Sequence, residues 1–382
     1  MKKFLDCISI VGATPSKFHG TKKYVSTGAV ATTEIDESEV VEVTYEDRPS
    51  RANLSAEAGD ILFAKMQGTR KTLLLDSETE ENIYSTGFYA VRANPEVITT
   101  ECLYYLIDSE LFLAQKDKNC SGATQKAITN GGMAKIEISV PALSEQGILV
   151  NKLKHLTQLI ADKKKQLNLF DEIIKSRFIE MFGDPVTNPL RWAMLPLEKC
   201  LTVLGGYAFK SEEFKTSGVP VLRIGNINTG AFTPTNMVYW SKDDCLTRYQ
   251  VLPGDLVISL TGTVGKDDYG NVCILGDAYP MYYLNQRNAK LILDDELNKH
   301  YLSELLKFSQ IKKKLTGISR GVRQANISNR DILNLVVPIP PIEIQVQFAA
   351  FVEQVDKSKF EIQQSLEKLE ILKKSLMQQY FG

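Results

Sequence analysis

The chain has 382 residues, of which 43% are hydrophobic and 24% charged, with a formal net charge of −1; this is a globular composition, long enough for two or three domains. Met1 to Ser9 carries lysines but no apolar run suited to a signal peptide, and no stretch of about 18 uninterrupted apolar residues occurs anywhere. Secretion and a membrane span are therefore not expected, and the protein reads as cytoplasmic.

In chain order, short β-rich runs predict strands over Asp60–Ala64 and Phe88–Arg92, followed by a helix from Thr100 to Ala114. An extended, proline-bearing stretch, Ile138-Ser139-Val140-Pro141, then leads into a long helix from about Glu145 to Met181. That helix stops at Gly183-Asp184-Pro185, where glycine can take the C-terminal position and proline cannot continue. Strands are predicted again over Asp255–Leu260 and Ala289–Leu293, and a helix from Asp295 to Leu315. A second extended stretch, Val336 to Pro341, opens a second long helix that runs to the end of the sequence.

This order is a duplication. Gly122 aligns with Gly321, and at the same offset of 199 Gln125 meets Gln324, Ile128 meets Ile327, Gln146 meets Gln345, and Phe182-Gly183 meets Phe381-Gly382. Upstream the offset drifts, as small loop insertions make it do: Gly59-Asp60-Ile61-Leu62 matches Gly254-Asp255-Leu256-Val257 at 195. The long helices carry matching heptad seams, Leu149, Leu153, Leu156, Ile160 onward to Met181, and Phe348, Val352, Val355 onward to Tyr380. Two such seams in one chain bury each other most simply when antiparallel. The expected fold is therefore mixed α/β (α+β), with two homologous globular domains separated by two long helices paired as an antiparallel coiled coil. The boundaries are 1–142 and 184–341 for the domains, and 143–183 and 342–382 for the helices.

Little in the sequence suggests catalysis. Gly262-Thr263-Val264-Gly265-Lys266 lacks the first glycine of a phosphate-binding loop, which is Leu260, and has Asp267 where a Ser or Thr is needed. Neither Asn94-Pro95-Glu96 nor Asn188-Pro189-Leu190 completes an amino-methyltransferase motif, and three isolated histidines offer no Ser–His–acid arrangement. Six scattered cysteines without a CxxC pair read as buried or surface thiols, and no metal is expected. The near-neutral charge argues mildly against nucleic acid. Locally, Leu305 to Arg330 holds seven basic residues and no acidic one, which suits either a solvated face or phosphate contact.

With duplication, heptads and missing catalysis together, the chain resembles the DNA-sequence-specificity subunits of type I restriction–modification systems. The resemblance rests on Ser121-Gly-Ala-Thr-Gln-Lys126 with Ile138 to Gln146, echoed by Val337 to Gln345, and on Gly206 to Phe214, Gly218 to Gly225, Thr261 to Lys266 and Leu284 to Arg287. It covers essentially the whole chain. The first half departs from it, with Met66-Gln-Gly-Thr-Arg-Lys71 and Tyr84-Ser-Thr-Gly87 at the last two places, as is expected if each domain reads a different half-site.

The resemblance implies binding rather than turnover. Each domain is then a target-recognition domain for half of a bipartite double-stranded DNA site, with the helices as spacer. Two methyltransferase subunits and a restriction/translocase subunit are the implied partners. No cofactor is expected on this chain; S-adenosylmethionine, ATP and Mg belong to the partner subunits. Basic and amide side chains in Gly-rich loops suit phosphate contact and base reading. The candidates are Gln67, Arg70, Lys71, Gln125 and Lys126 in the first domain, and Lys266, Arg287, Arg320, Arg323 and Gln324 in the second, with Lys312, Lys313 and Lys314 for phosphates. Phe178, Phe182 and Phe381 crowd the helix ends, either as core or as a patch for a methyltransferase helix. Three alternatives stay open: a pseudo-dimeric coiled-coil interaction scaffold without DNA reading, a methyltransferase or nuclease in its own right, and the specificity subunit of a related restriction system with a different nuclease partner.

Overall fold

The computed structural model describes residues 1–227, 229–263, 266, 268–317 and 324–382, with Gln324 by its backbone only. The chain divides into two units, Met1–Lys165 with Gln363–Gly382, and Gln166–Ile362.

In the first unit the strands are β1 (Ile8–Val11), β2 (Lys22–Val25), β3 (Val41–Val43), β4 (Ala52–Leu54), β5 (Ile61–Ala64), β6 (Thr72–Leu74), β7 (Ile83–Ser85) and β8 (Phe88–Ala93). They form two four-stranded sheets, ordered β1-β8-β5-β6 and β3-β2-β7-β4, and β2 pairs with β7 in parallel. Strand β5 shows why its residues alternate. Ile61 and Phe63 enter a core shared with the helices, while Leu62 and Ala64 enter a second core with Val25 and Tyr84 of the other sheet. Successive side chains of a strand point to opposite faces, so a strand buried on both sides is apolar throughout.

The predicted helix from Thr100 to Ala114 is two helices, α1 (Thr100–Ile107) and α2 (Glu110–Lys118). Ser109 breaks it: its backbone is extended and its hydroxyl accepts from the Phe112 amide at 3.2 Å, capping α2 in place of continuing α1. Helix α3 (Leu143–Phe182) follows.

The second unit repeats this order with β9 (Leu201–Gly205), β10 (Val219–Leu222), β11 (Val238–Trp240), β12 (Gln250–Val251), β13 (Leu256–Ser259), β14 (Thr261–Thr263), β15 (Val272–Ile274), β16 (Tyr282–Leu284) and β17 (Asn288–Leu293). Its sheets run β9-β17-β13-β15 and β11-β10-β16-β12, strand for strand the order of the first unit, with β10 parallel to β16. The predicted helix from Asp295 to Leu315 again splits, into α4 (Lys299–Lys307) and α5 (Ser309–Thr316), at an extended Phe308. Strand β18 (Gln324–Asn326) and helix α6 (Ile342–Phe381) complete the chain.

Each long helix contributes a segment to each unit, and within each unit the segments are antiparallel. In the first, Leu149 and Leu153 of α3 share a core with Met377 and Phe381 of α6, and further along α3 Lys164 reaches the earlier Glu370 at 3.1 Å. In the second, Asp171 meets Lys359 at 2.6 Å, while Phe178 and Phe182 pack edge-on against Phe348. Every predicted seam position on both helices is buried or half-buried, as a heptad requires.

Candidate nucleic-acid interface

The first unit brings together two loops that lie far apart in sequence. The Met66 loop follows β5, and the Ser121–Ala127 hairpin follows α2. Met66 pairs with Ala127 in an antiparallel bridge, the Gln67 amide donates to the Lys126 carbonyl at 2.9 Å, and the Ile128 amide donates to the Lys65 carbonyl at 2.9 Å. The hairpin closes on itself through reciprocal bonds between Ser121 and Ala127. Its tight return needs Gly122, whose φ is +133° and where a Cβ would stand 2.5 Å from the Gln125 carbonyl oxygen. Residues 121 to 126 are all exposed, so Gln125 and Lys126 stand at an open tip.

The second unit builds the same ladder from the duplicated positions. Thr261 pairs with Asn326 and Gly262 with Ala325, and the Ile327 amide donates to the Leu260 carbonyl at 2.8 Å. Thr261 and Asn326 are the counterparts of Met66 and Ala127 at offsets 195 and 199. The Leu260 amide donates to the Arg287 carbonyl at 2.8 Å, just as Lys65 donates to Gly87 at 2.9 Å. Arg287 is exposed beside the ladder, and Lys266 is exposed on the loop that leaves it. Asp268 accepts from the Thr263 amide and hydroxyl at 2.8 and 2.9 Å. Those bonds, led by the backbone one, hold its carboxyl below the usual range.

The remaining candidates are less free. Gln67 is exposed but donates to the Asp117 carbonyl at 3.1 Å. Arg70 makes two 2.9 Å bonds to Asp108, which raise the guanidinium above its ordinary pKa. Lys71 is half-buried, with its ammonium on the Thr27 carbonyl. Lys313 and Lys314 are exposed on α5. Lys312 is not a surface cation: it is 8% exposed and donates to Asn271 Oδ1 at 2.6 Å, because its face of α5 turns inward. Arg320, Arg323 and the Gln324 side chain lie outside the described residues.

Phe178, Phe182 and Phe381 offer no docking patch. They are 0%, 2% and 1% exposed, the first two packed against Tyr301 and Phe348 in the second unit's core, where Phe178 also meets Phe308, and the last in the first unit's core. These three aromatics are core residues.

Sequence reasoning missed two lysines. Lys65 is half-buried with its ammonium 4.4 Å from the Tyr89 ring centroid, and burial lowers its pKa. Lys116 lies beneath the Met66 loop, 1% exposed. No motif announces either one. Among the described residues no three or more His, Cys, Asp or Glu side chains group as a metal site. No helix among them is long and apolar enough to cross a membrane.

Two copies of one α/β module, each with the same loop ladder and each packed on paired long helices, define an internally duplicated protein. The family model for the type I restriction modification DNA specificity domain matches residues 10–169 and again 189–373, and the chain belongs to that family. The MjaVIII type I restriction enzyme specificity subunit of Methanocaldococcus jannaschii is 27% identical over 265 residues, 63% of this chain and 60% of that protein. The EcoKI specificity subunit of Escherichia coli K12 is 26% identical over 193 residues, 46% of this chain and 39% of that one. The matched stretches thus span less than two thirds of these relatives' own length. Among solved structures, the S subunit of a type I restriction-modification system from M. genitalium aligns over 100% of this chain and 95% of its own, with a TM-score of 0.57 at 13% identity. A chain from a type I R-M system solved for its complex assembly and conformational transition aligns over 98% and 97%, with a TM-score of 0.52 at 20% identity. At those identities the likeness is one of fold.

Proposed function

We propose that this chain is the sequence-specific DNA-binding subunit of a type I restriction–modification enzyme, non-catalytic itself, with each unit reading one half of a bipartite target. The observation that carries this reading is the duplicated ladder. One backbone arrangement presents Gln67, Gln125 and Lys126 in the first unit, and Lys266 and Arg287 in the second. Constant scaffold with changed polar tips is what two readers of different half-sites require. Glutamine suits bidentate reading of adenine and arginine of guanine, each good pair discriminating by about 1–3 kcal/mol. The net charge of −1 fits a reader whose partners share the phosphate contacts. Those partners are two methyltransferase subunits and a restriction/translocase subunit. They supply S-adenosylmethionine, ATP and Mg chemistry in the cytoplasm, where the DNA is.

Mapping methylated sequences made by the intact assembly tests the reading. A Gln67→Ala/Lys126→Ala double variant should relax one half of the bipartite sequence, and Lys266→Ala/Arg287→Ala the other. A methylated sequence unchanged by both double variants would rule the assignment out.

A further inference from the structure

Lys116, in the last turns of α2, is a buried cation held by two backbone carbonyls. Its ammonium donates to the Met66 carbonyl at 2.8 Å and the Thr69 carbonyl at 2.9 Å, and it stands 3.1 Å from Asp117 Oδ1. The two carbonyl bonds are hydrogen bonds, and the carboxylate contact is an ion pair without one. Met66 and Thr69 open and close a four-residue turn, in which the Thr69 amide donates back to the Met66 carbonyl at 3.3 Å. Gripping both carbonyls fixes where the turn sits and how it is tilted. The Gln67 side chain between them reaches the same helix end, at the Asp117 carbonyl. A helix C-terminus carries partial negative charge and under-used carbonyls, so it is a stable seat for a cation.

The second unit has a different residue at this place. The position equivalent to Lys116 at offset 199 is Leu315, 2% exposed in the core. Its buried lysine stands one turn earlier, at Lys312, the counterpart of Leu113, and donates to Asn271 Oδ1 at 2.6 Å. Lysine and leucine have thus exchanged places on equivalent helices.

We infer that Lys116 is a positioning residue that sets the reading geometry of the Met66–Lys71 loop. Selectivity for one half-site then depends on a side chain too deep to touch DNA. The inference rests on the DNA-reading assignment above. Bidentate contacts tolerate displacements of only about 0.5 Å. A turn whose two carbonyls are released to water carries Gln67 out of reach of its base.

Lys116→Met removes the charge while keeping the length, and Lys116→Gln retains a donor for one of the two carbonyls. In the intact assembly, Lys116→Met should lower discrimination within one half-site by about tenfold or more, as much as removing one base-reading side chain does. The other half-site should stay as selective as before, and Lys116→Gln should fall between. Equal loss in both halves overturns the inference, as does unchanged discrimination accompanied by a lower melting temperature, since either marks Lys116 as a purely structural residue. If Lys116→Met does not accumulate as folded protein, Lys116→Gln decides by the same criterion. The Gln67→Ala/Lys126→Ala assembly runs alongside. If it leaves both halves unchanged, the DNA-reading assignment has failed; if it relaxes one half that the Lys116 variants leave intact, only the positioning role has failed.

Discussion

Gln146 in the first unit and Gln345 in the second make the same three hydrogen bonds. Each accepts from a helix-capping amide, Thr99 at 2.8 Å or Asn298 at 2.9 Å. Each donates to two carbonyls, those of Val97 and Pro141 or of Glu296 and Pro340. Around these fixed points the buried side chains differ. Phe178, Tyr301, Phe308 and Phe348 of the second unit correspond, at offset 199, to Met377, Cys102, Ser109 and Leu149 of the first. The first unit has its own aromatic cluster elsewhere, Phe4, Phe63 and Phe112, with ring centroids 4.9 to 6.4 Å apart. Backbone hydrogen bonding is thus held constant by a few polar residues, while core volume is redistributed between two places. Loop chemistry can therefore diverge between the units while the ladder stays in register.

The two units differ most at their aromatic ends. Phe178 is fully buried among four rings, so Phe178→Ala should cost about 3–5 kcal/mol. Met377→Ala at the equivalent position should cost less, because methionine fills gaps adaptively. Calorimetric unfolding of the two variants checks this, and equal losses would mean that the redistributed volume is not matched to its site. The constant end should behave in the opposite way. Gln146→Leu and Gln345→Leu each strand the same set of backbone groups, so both should lose about 1–3 kcal/mol. A difference beyond that range in urea unfolding would show that the shared hydrogen bonds are not equivalent.

Much of the architecture was legible because it is periodic. The heptad seams and the constant offset of 199 are long patterns, and both survive intact in the helices and the strand order. The break at Ser109 was not legible, since a single N-cap inside an apolar run leaves the helical spacing undisturbed. The loop pairing was only partly legible. The duplication flagged Gly122, which forms the hairpin's return, but no spacing rule reveals that Met66 pairs with Ala127. Burial of charge was the least legible. Lys312 stands in a row of three lysines, and only the orientation of α5 separates the one facing inward from the two facing water.

That separation gives the next test. Lys313→Ala/Lys314→Ala should weaken binding to all DNA sequences alike in the intact assembly. The slope of log affinity against log salt should become shallower by roughly 0.9 for each phosphate no longer neutralised. Lys312→Ala should leave that slope alone and lower the melting temperature, because it removes the bond to Asn271 Oδ1 and empties a buried space. Salt titrations on the two variants distinguish these outcomes, and a shallower slope for Lys312→Ala alone would put the phosphate contact on the wrong residue.

The smallest effect concerns a pair whose charges are reversed between the units. Glu101 and Lys154 of the first stand 3.4 Å apart, and their counterparts in the second are His300 and Glu353, 3.5 Å apart. The first pair is largely exposed, so it contributes little. His300 is buried, and burial, with help from Lys299, lowers its pKa from the ordinary 6.5, although Glu353, Asp356 and Glu304 pull the other way. The folded protein therefore binds this proton less readily than the unfolded chain does. The stability tied to neutral His300 is fully present above about pH 6.5 and is lost as the pH falls below it toward the lower folded value. His300→Gln should remove that part of the pH dependence from the second unit's unfolding and leave the first unit's unchanged. Melting curves at about pH 7.5 and 5.5 measure it. If the variant's two curves differ as much as the wild type's, the loss on acidification belongs to other groups, and the reversed pair is electrostatically inert in both units.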